Sequence, residues 1–332
     1  MSERAAADLE LRIATEADEP AILALATRTL GWGPEPRWAE LFRWKHDTNA
    51  FGRSPRWVAL DGDRVAGFRI FLRWEWKRPD GSIARAVRAV DTATDPDYQG
   101  RGIFTRLTKA ALVDLADDGV DFVFNTPNDQ SRPGYLKMGW EVVGRPPVMV
   151  QPGRILGIPR LLRARTAAEL WSEPVTVGRA APEVLATDGA RALVDSLAPT
   201  STIATNRTIE FLQWRYGLDE LHYRAITLGT DPAEGLALFR VRRRGAALEA
   251  TVTELLVPAG PHAERATRSL LRRVSRQAGA DYALVGHLPH LLAAPAVPVP
   301  NLGPILTWRA VTQTTRPDLA TWTLGMGDLE LF

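Results

Sequence analysis

The chain of 332 residues contains no cysteine. That excludes thiol nucleophiles, cysteine-based zinc or iron–sulfur sites and a disulfide framework. Lysine is scarce too: only four of the 41 basic residues are lysine, so 37 are arginine. A surplus of either charge is also missing, because 41 Lys+Arg against 39 Asp+Glu leaves a net +2. Such a balance supplies no large field to hold a polyanion, and neither a nucleic-acid nor a membrane partner is expected. Long hydrophobic runs are absent. The most apolar stretch, residues 288–306, is broken by Pro289, Pro295, Pro298, Pro300 and Pro304 and cannot span a bilayer. Met1 to Glu10 is charged and alanine-rich, without the apolar segment of a secretory signal, so a cytoplasmic protein is expected. The five histidines form no metal set; His287-Leu288-Pro289-His290 is interrupted by proline and has no helix to align it. No metal is expected. A Gly-x-Ser-x-Gly elbow and a Walker loop are both missing.

What is present is an ordinary globular composition, 45% hydrophobic and 24% charged, in a chain long enough for two domains. Leu11-Arg12-Ile13 reads as a first strand. Helices follow over 15–31 and over 37–45, the latter with Trp38, Leu41, Phe42 and Trp44 on its apolar side. Trp57–Leu60 and Val65–Trp74 read as a hairpin turning at Asp61-Gly62-Asp63. Arg85–Thr94 is a longer strand, Ile103–Ala116 a helix, Val120–Phe124 a buried-type strand and Glu141–Gly144 another. The order β-α-α-β-β-β-α-β-α-β predicts an α/β fold with a mixed sheet and one central crossover. It fits no doubly wound nucleotide domain, because no strand ends in Gly-x-Gly-x-x-Gly.

The second half repeats the first in outline. Leu41-Phe42-Arg43-Trp44-Lys45-His46 is echoed by Phe211-Leu212-Gln213-Trp214-Arg215-Tyr216, and Gly119-Val120-Asp121-Phe122 by Gly279-Ala280-Asp281-Tyr282. The loop-rich segment between the halves, with Pro146-Pro147, Pro152-Gly153 and Gly157-Ile158-Pro159, predicts a first domain over 1–150, a linker with short helices over 151–200 and a second domain over 201–332. Arg240-Val241-Arg242-Arg243-Arg244, the densest basic cluster, precedes Gly245 and reads as a solvated turn. Of the tryptophans, Trp44 and Trp214 read as core anchors.

One stretch is set up for chemistry. In Val90-Asp91-Thr92-Ala93-Thr94-Asp95-Pro96-Asp97-Tyr98-Gln99-Gly100-Arg101-Gly102-Ile103-Phe104 a strand leads through a proline-marked turn and a glycine-rich loop directly into a helix. The loop amides and the helix N-terminus gather N–H donors at one spot, where phosphate binds readily. The alternative is a strand-to-helix turn that uses its glycines for geometry alone.

The stretch resembles motif A of the GNAT-type N-acetyltransferases, Gln/Arg-x-x-Gly-x-Gly/Ala, matched by Gln99-Gly100-Arg101-Gly102-Ile103-Phe104. Phe104 departs from it, standing where a small residue is usual. Asn128-Asp129-Gln130-Ser131-Arg132-Pro133-Gly134-Tyr135-Leu136-Lys137-Met138-Gly139-Trp140 is similar to the family's Asn-x-x-Ala-x-x-x-Tyr-x-Lys-x-Gly-Phe segment, with Pro133-Gly134 as a second departure. The resemblance covers residues 11–145. The whole chain looks like a tandem, double-domain acetyltransferase of actinobacterial kind, and the resemblance implies two GNAT-like acyl-CoA N-acyltransferase domains, the second degenerate. There Pro258-Ala259-Gly260-Pro261-His262 replaces the glycine-rich loop, and Pro261 has no N–H to offer.

The resemblance further implies acetyl-CoA as cosubstrate. Gln99, Gly100, Arg101, Gly102, Ile103, Phe104 and Thr105 would cradle the pyrophosphate, Thr92, Ala93 and Thr94 would pair with the pantetheine arm, and Asn128 would assist. Tyr135 would protonate the departing sulfur. A base for the amine is sought among Asp91, Glu75 and the C-terminal run Gly327–Phe332. In some tandem relatives, such as N-myristoyltransferases, the terminal carboxylate is threaded into the site. The expected acceptor is a small-molecule amine. Trp32, Trp74, Trp76 and Trp140 flank the expected acceptor side.

Overall fold

The computed structural model describes residues 9–153, 166–286, 296–299 and 302–330. The His287/His290 pair and the terminal Leu331-Phe332 lie outside them. Two compact units are present, and neither is a contiguous stretch. The first takes residues up to Trp76, Ile83–Val143 and Ile305–Pro317; the second takes Lys77–Ser82, Gly144–Pro304 and Asp318 onward.

In the first unit, β1 (Glu10–Ile13), β2 (Arg56–Asp61), β3 (Arg64–Lys77), β4 (Ile83–Thr94) and β5 (Phe122–Asn125) are neighbours in that order, and the sheet continues through β15 (Leu306–Ala310) to β6 (Glu141–Gly144). β4 and β5 are parallel, and Ala86–Arg88 pair with Phe122–Phe124. The crossover between them is α3 (Ile103–Asp117), which buries Ile103, Leu107, Ala111 and Leu115 along one face. These residues join Trp57, Phe71, Val87, Ala89, Tyr135 and Trp140 in one core cluster. A second cluster, on α1 (Glu19–Thr29) and α2 (Pro36–His46), contains Ile22, Leu25, Phe42, Phe68, Ile70 and Ala93.

The second unit repeats this plan. Its sheet runs β14 (Val297–Val299), β7 (Val148–Pro152), β13 (Tyr282–Gly286), β12 (Ala247–Leu256), β11 (Leu236–Arg244), β10 (Arg224–Thr227) and β8 (Arg179–Ala180). Here β12 and β13 form the parallel pair. Helices α5 (Ala181–Leu185), α6 (Asp188–Asp195), α7 (Ile209–Arg215), α8 (Ala263–Gln277) and α9 (Met326–Leu329) complete it. An offset of 163 residues carries Ala86 to Glu249, and one of 160 carries its partner Phe122 to Tyr282, so the two parallel pairs share one register.

The contiguous boundaries read from the sequence therefore do not match the units. β7 follows β6 in the chain yet joins the second sheet, while β15, late in the chain, joins the first. Each covers the outer edge of a parallel strand that would otherwise present unpaired backbone groups. Apolar alternation locates a strand without saying which sheet it joins. The basic cluster is a correction as well. Alternation along β11 turns Arg240 and Arg242 inward, fully or nearly buried, and leaves Arg243 outside.

Candidate active site

The loop into α3 is built as its sequence suggests. Asp95 caps the short Pro96–Tyr98 turn by accepting from the Asp97 amide at 3.1 Å, and it is fixed by Arg28 and Arg64. Gly100 and Gly102 then take φ of 75° and 69°, the left-handed region that favours glycine, and a Cβ on either would project into open space. Gly102 caps α3 with no side chain, and no acidic residue occupies the first turn. The first-turn amides of this helix are thus aimed outward with the positive end of its dipole behind them. Gln99 and Gly100 are exposed, and Arg101 lies over the Tyr98 ring at 4.7 Å, so the loop rim is basic. This arrangement suits a diphosphate.

The strand before the loop is interrupted. Val87 and Ala89 face the α3 cluster, but Ala93, of the same parity, faces the α1–α2 cluster. One residue between them breaks the alternation, and Asp91, with φ of 21°, is that residue. Past the bulge, Thr92 Oγ1 donates to the Phe68 carbonyl at 3.0 Å and the Asp95 amide to Ala66 at 2.9 Å, which keeps this part of β4 on β3. β5 ends at Asn125, so Asp91–Thr94 run beyond the parallel pairing and the two strands diverge there.

Asp91 is not free to act as a base. Its Oδ2 accepts from Lys45 Nζ at 2.7 Å and from His46 Nε2 at 2.8 Å. Burial by itself would raise its pKa, but the adjacent Lys45 and His46 outweigh that and hold the carboxyl below the usual carboxylate range. Burial pushes the wholly enclosed His46 down to about 4. The ring is therefore neutral, donating through Nε2 to Asp91 and accepting at Nδ1 from Ser54 Oγ at 3.0 Å. This buried chain anchors the bulge. Glu75 is half-buried beside Phe51, Arg73 and Arg85 near Ala86, at the other end of β4 and about 16 Å along the strand from Asp91. The geometry does not bring it to the loop. The C-terminal carboxylate lies outside the described residues.

Tyr135 lies at the end of α4 (Arg132–Lys137) and is 3% exposed. Its ring meets Phe104 edge-to-face, with centroids 5.4 Å apart, which places it against the first turn of α3. Its hydroxyl accepts from Arg69 Nη1 at 2.8 Å. The two departures from the family motifs explain one another here: a Cβ at Gly134 would come 3.2 Å from Phe104 Cε1, so the bulky Phe104 needs the glycine. Pro133 occupies the first turn of α4, where its missing N–H costs nothing. Asn128 does not point at the loop. Its Oδ1 accepts from the Ser131 amide and hydroxyl, both at 2.9 Å, and starts the turn into α4. Trp74, Trp76 and Trp140 are buried in the core rather than lining a surface, while Trp32 is partly buried and stacks on Trp38 at 5.5 Å. Trp214 is buried as expected, and Trp44 only partly.

Arg69, Lys45, His46 and Ser54 were not singled out as site residues from the sequence. A signal existed for one of them: Arg69 is the lone charge in Val65-Ala66-Gly67-Phe68-Arg69-Ile70-Phe71-Leu72. The others are distant in sequence and meet Asp91 only through the fold.

Comparison with known proteins agrees with this geometry. Residues 10–143 match the family described as an acetyltransferase (GNAT) domain. Residues 10–143 thus form a GNAT acetyltransferase domain, a family whose cosubstrate is acetyl-CoA, and support an acyltransferase. Over most of its length the fold is that of several solved structures. A probable N-acyltransferase from Enterococcus faecalis V583 superposes with a TM-score of 0.65 at 16% identity, covering 91% of this chain and 72% of its own. A GCN5-related N-acetyltransferase from Kribbella flavida gives 0.62 at 19% identity, with coverage of 92% and 72%. Eis1 from Mycobacterium abscessus gives 0.56 at 17%, with 91% and 73%. No curated protein matches the sequence. Among the described residues no helix is long and apolar enough to cross a membrane, and no group of three His, Cys, Asp or Glu could hold a metal.

Proposed function

We propose that this protein is a tandem acetyltransferase of the actinobacterial kind that transfers an acetyl group from acetyl-CoA to the primary amine of a small molecule, using its first unit for catalysis. The observation that carries this reading is the contact between Phe104 and Tyr135, which sets a buried phenol against the first turn of the glycine-capped helix. A thiolate leaves best when protonated, and the Tyr135 phenol, set against the first turn of α3, is placed to give that proton. The amine attacks the thioester carbonyl directly, so the absence of cysteine is no handicap. Backbone N–H groups over Thr92–Thr94 polarise that carbonyl. Gly100–Thr105 hold the diphosphate, and Asn128 serves by shaping the turn into α4. Asp91, bonded to Lys45 and His46, acts by holding the bulge instead of taking the amine proton. The amine proton goes to solvent or to a base still to be assigned, for which truncation of the C-terminal run is the test.

The second unit is non-catalytic in this reading. A small acceptor is favoured by the near-neutral charge, which provides no field for a polyanionic partner. The test follows free-thiol release from acetyl-CoA with putrescine, tryptamine and glycinamide, and with a lysine-containing peptide as the protein-acceptor arm. Turnover with any of the amines and none with the peptide is expected. Acetyl-CoA binding without turnover on any acceptor would make the chain a CoA-binding module. In the active pair, Tyr135→Phe is expected to lower kcat by about 10²–10⁴-fold with little change in acetyl-CoA affinity; an unchanged kcat removes the phenol from the mechanism.

A further inference from the structure

Arg69 has no account in the folding of the first unit. It is 0% exposed in the middle of β3. Nη1 donates to Tyr135 Oη at 2.8 Å, while Nε and Nη2 find no hydrogen-bond partner among the described residues. No carboxylate there lies within ion-pair distance of it. Three rings enclose the guanidinium instead: Phe71 with its centroid at 4.4 Å, Tyr135 at 5.2 Å and Phe104 at 5.3 Å. Ring faces partly compensate a cation. A buried cation without an anion is nevertheless a poor choice for stability, and an apolar residue of similar length would serve the core as well or better.

We infer that Arg69 is a positioning residue for the acid: it holds the Tyr135 hydroxyl in place and receives the negative charge left on that oxygen when the phenol gives up its proton. The inference rests on the reading of Tyr135 as the acid. The acceptor nitrogen bonds to the thioester carbon and the C–S bond breaks. The sulfur takes the proton from Tyr135 Oη, the nitrogen loses its own to the base or to solvent, and the phenolate is reprotonated from solvent. Nη1 donates to the phenol oxygen throughout, so the hydroxyl hydrogen is turned away from β3 in the ground state. After proton transfer the same N–H bonds an anion inside an enclosed, water-poor box, where a charge-assisted hydrogen bond is strongest. Phe104 is part of that box. The residue that breaks the family pattern therefore has a role: it closes the side of the guanidinium facing α3.

The test compares Arg69→Met, Arg69→Lys, Tyr135→Phe and the Arg69→Met/Tyr135→Phe double variant in full-length protein. Thermal melting is measured beside kcat and KM, with acetyl-CoA and whichever amine is turned over. Arg69→Met is expected to melt at or above the temperature of the parent and to lose about 10- to 100-fold in kcat, the effect of one hydrogen bond to a developing charge, with KM for acetyl-CoA little altered. Arg69→Lys is expected to recover part of that loss. In the Tyr135→Phe background, Arg69→Met is expected to lower kcat no further, because the oxygen it serves is gone. An unchanged kcat in Arg69→Met, or an equal drop with and without the phenol, overturns the inference while leaving Tyr135 as the acid. Full activity in Tyr135→Phe would instead overturn the acid reading, and this inference with it. Should Arg69→Met fail to fold, the same cycle run with Arg69→Lys decides.

Discussion

The two units place different chemistry on the same scaffold position. The offset that aligns their parallel strands carries Asp91 to Glu254, and the helix match carries His46 to Tyr216. In the first unit the helix residue donates to the strand carboxylate through an imidazole, and in the second through the Tyr216 hydroxyl at 2.8 Å from Glu254 Oε1. The carboxylate-to-helix tie is therefore a property of the fold, kept in both copies. What differs is the space beyond it. In the first unit the strand leads into Gly100 and Gly102 and a helix whose first turn has no acidic residue. In the second it leads into Pro258-Ala259-Gly260-Pro261, with Glu264 in the first turn of α8, which opposes an anion. The C-terminal segment docks beside the ends of β12 and β13, where a Cβ on Gly286 would meet Leu324 and Gly325 and where Gly327 lies close to Tyr216, Glu254 and the Thr253 carbonyl, and a cavity of about 370 Å³ lined by Leu255, Val257, Val285 and Gly286 stays open next to it. The two copies therefore differ in the loop that follows the strand and in the C-terminal segment, which docks against the second.

The largest expected effect breaks that docking. Glu330 is largely enclosed between Arg240, at 2.6 Å, and Arg242, and its backbone carbonyl accepts from Arg215 at 2.9 Å. Removing residues 329–332 would leave the buried Arg240 without its ion-pair partner, Arg242 with Glu249 alone and Arg215 short of an acceptor, at a loss of about 3–5 kcal/mol. Urea unfolding should show the second unit destabilised by that amount. Deleting only Leu331-Phe332 spares Glu330. It should leave stability unchanged and abolish turnover if the terminal carboxylate is the base. Full activity in that shorter truncation would exclude this base.

The next effect separates the two loops. Gly102→Asp puts a carboxylate and a left-handed non-glycine residue at the loop proposed to hold the diphosphate. Strain and charge together amount to about 3 kcal/mol, or roughly 100-fold in CoA affinity. The matching Gly260→Asp in the second unit should leave CoA titration calorimetry unaltered. Equal losses from the two substitutions would mean that the second loop also binds the nucleotide.

Much of this was legible in the sequence, because the phosphate loop and the phenol segment are local motifs whose residues sit close in the chain. The repeat was legible too, through Trp44 and Trp214 and through Phe122 and Tyr282. Three things were not. Strand exchange depends on which edge needs covering, and no periodicity encodes it. The role of Asp91 depends on Lys45 and His46, which lie on a helix two strands earlier in the chain. The inward turn of Arg240 and Arg242 depends on Glu330 at the far end of the chain, so the run of arginines read as a solvated turn when it is a tail anchor. Arg69 lay between: its isolation in an apolar strand was visible, but its partner was not.

The smallest expected effect tests the shared tie by pH. His46 has its pKa lowered by burial to about 4, against about 6.5 for an exposed histidine. Between these values the unfolded chain binds a proton that the folded unit refuses. Stability is therefore full above pH 6.5 and declines as pH falls toward 4. From pH 7.5 to pH 5 the first unit should lose about 2 kcal/mol. Tyr216 does not titrate in this window, and Glu254 has its pKa raised by burial, only partly offset by Arg207. A raised carboxyl contributes its stability below the unfolded value, so the second unit should hold firm or gain as acid is added. His46→Tyr, which installs the second unit's residue in the first, should keep a donor to Asp91 and remove the loss between pH 7.5 and 5. A loss of the same size in that variant would show that some other group of the first unit titrates there.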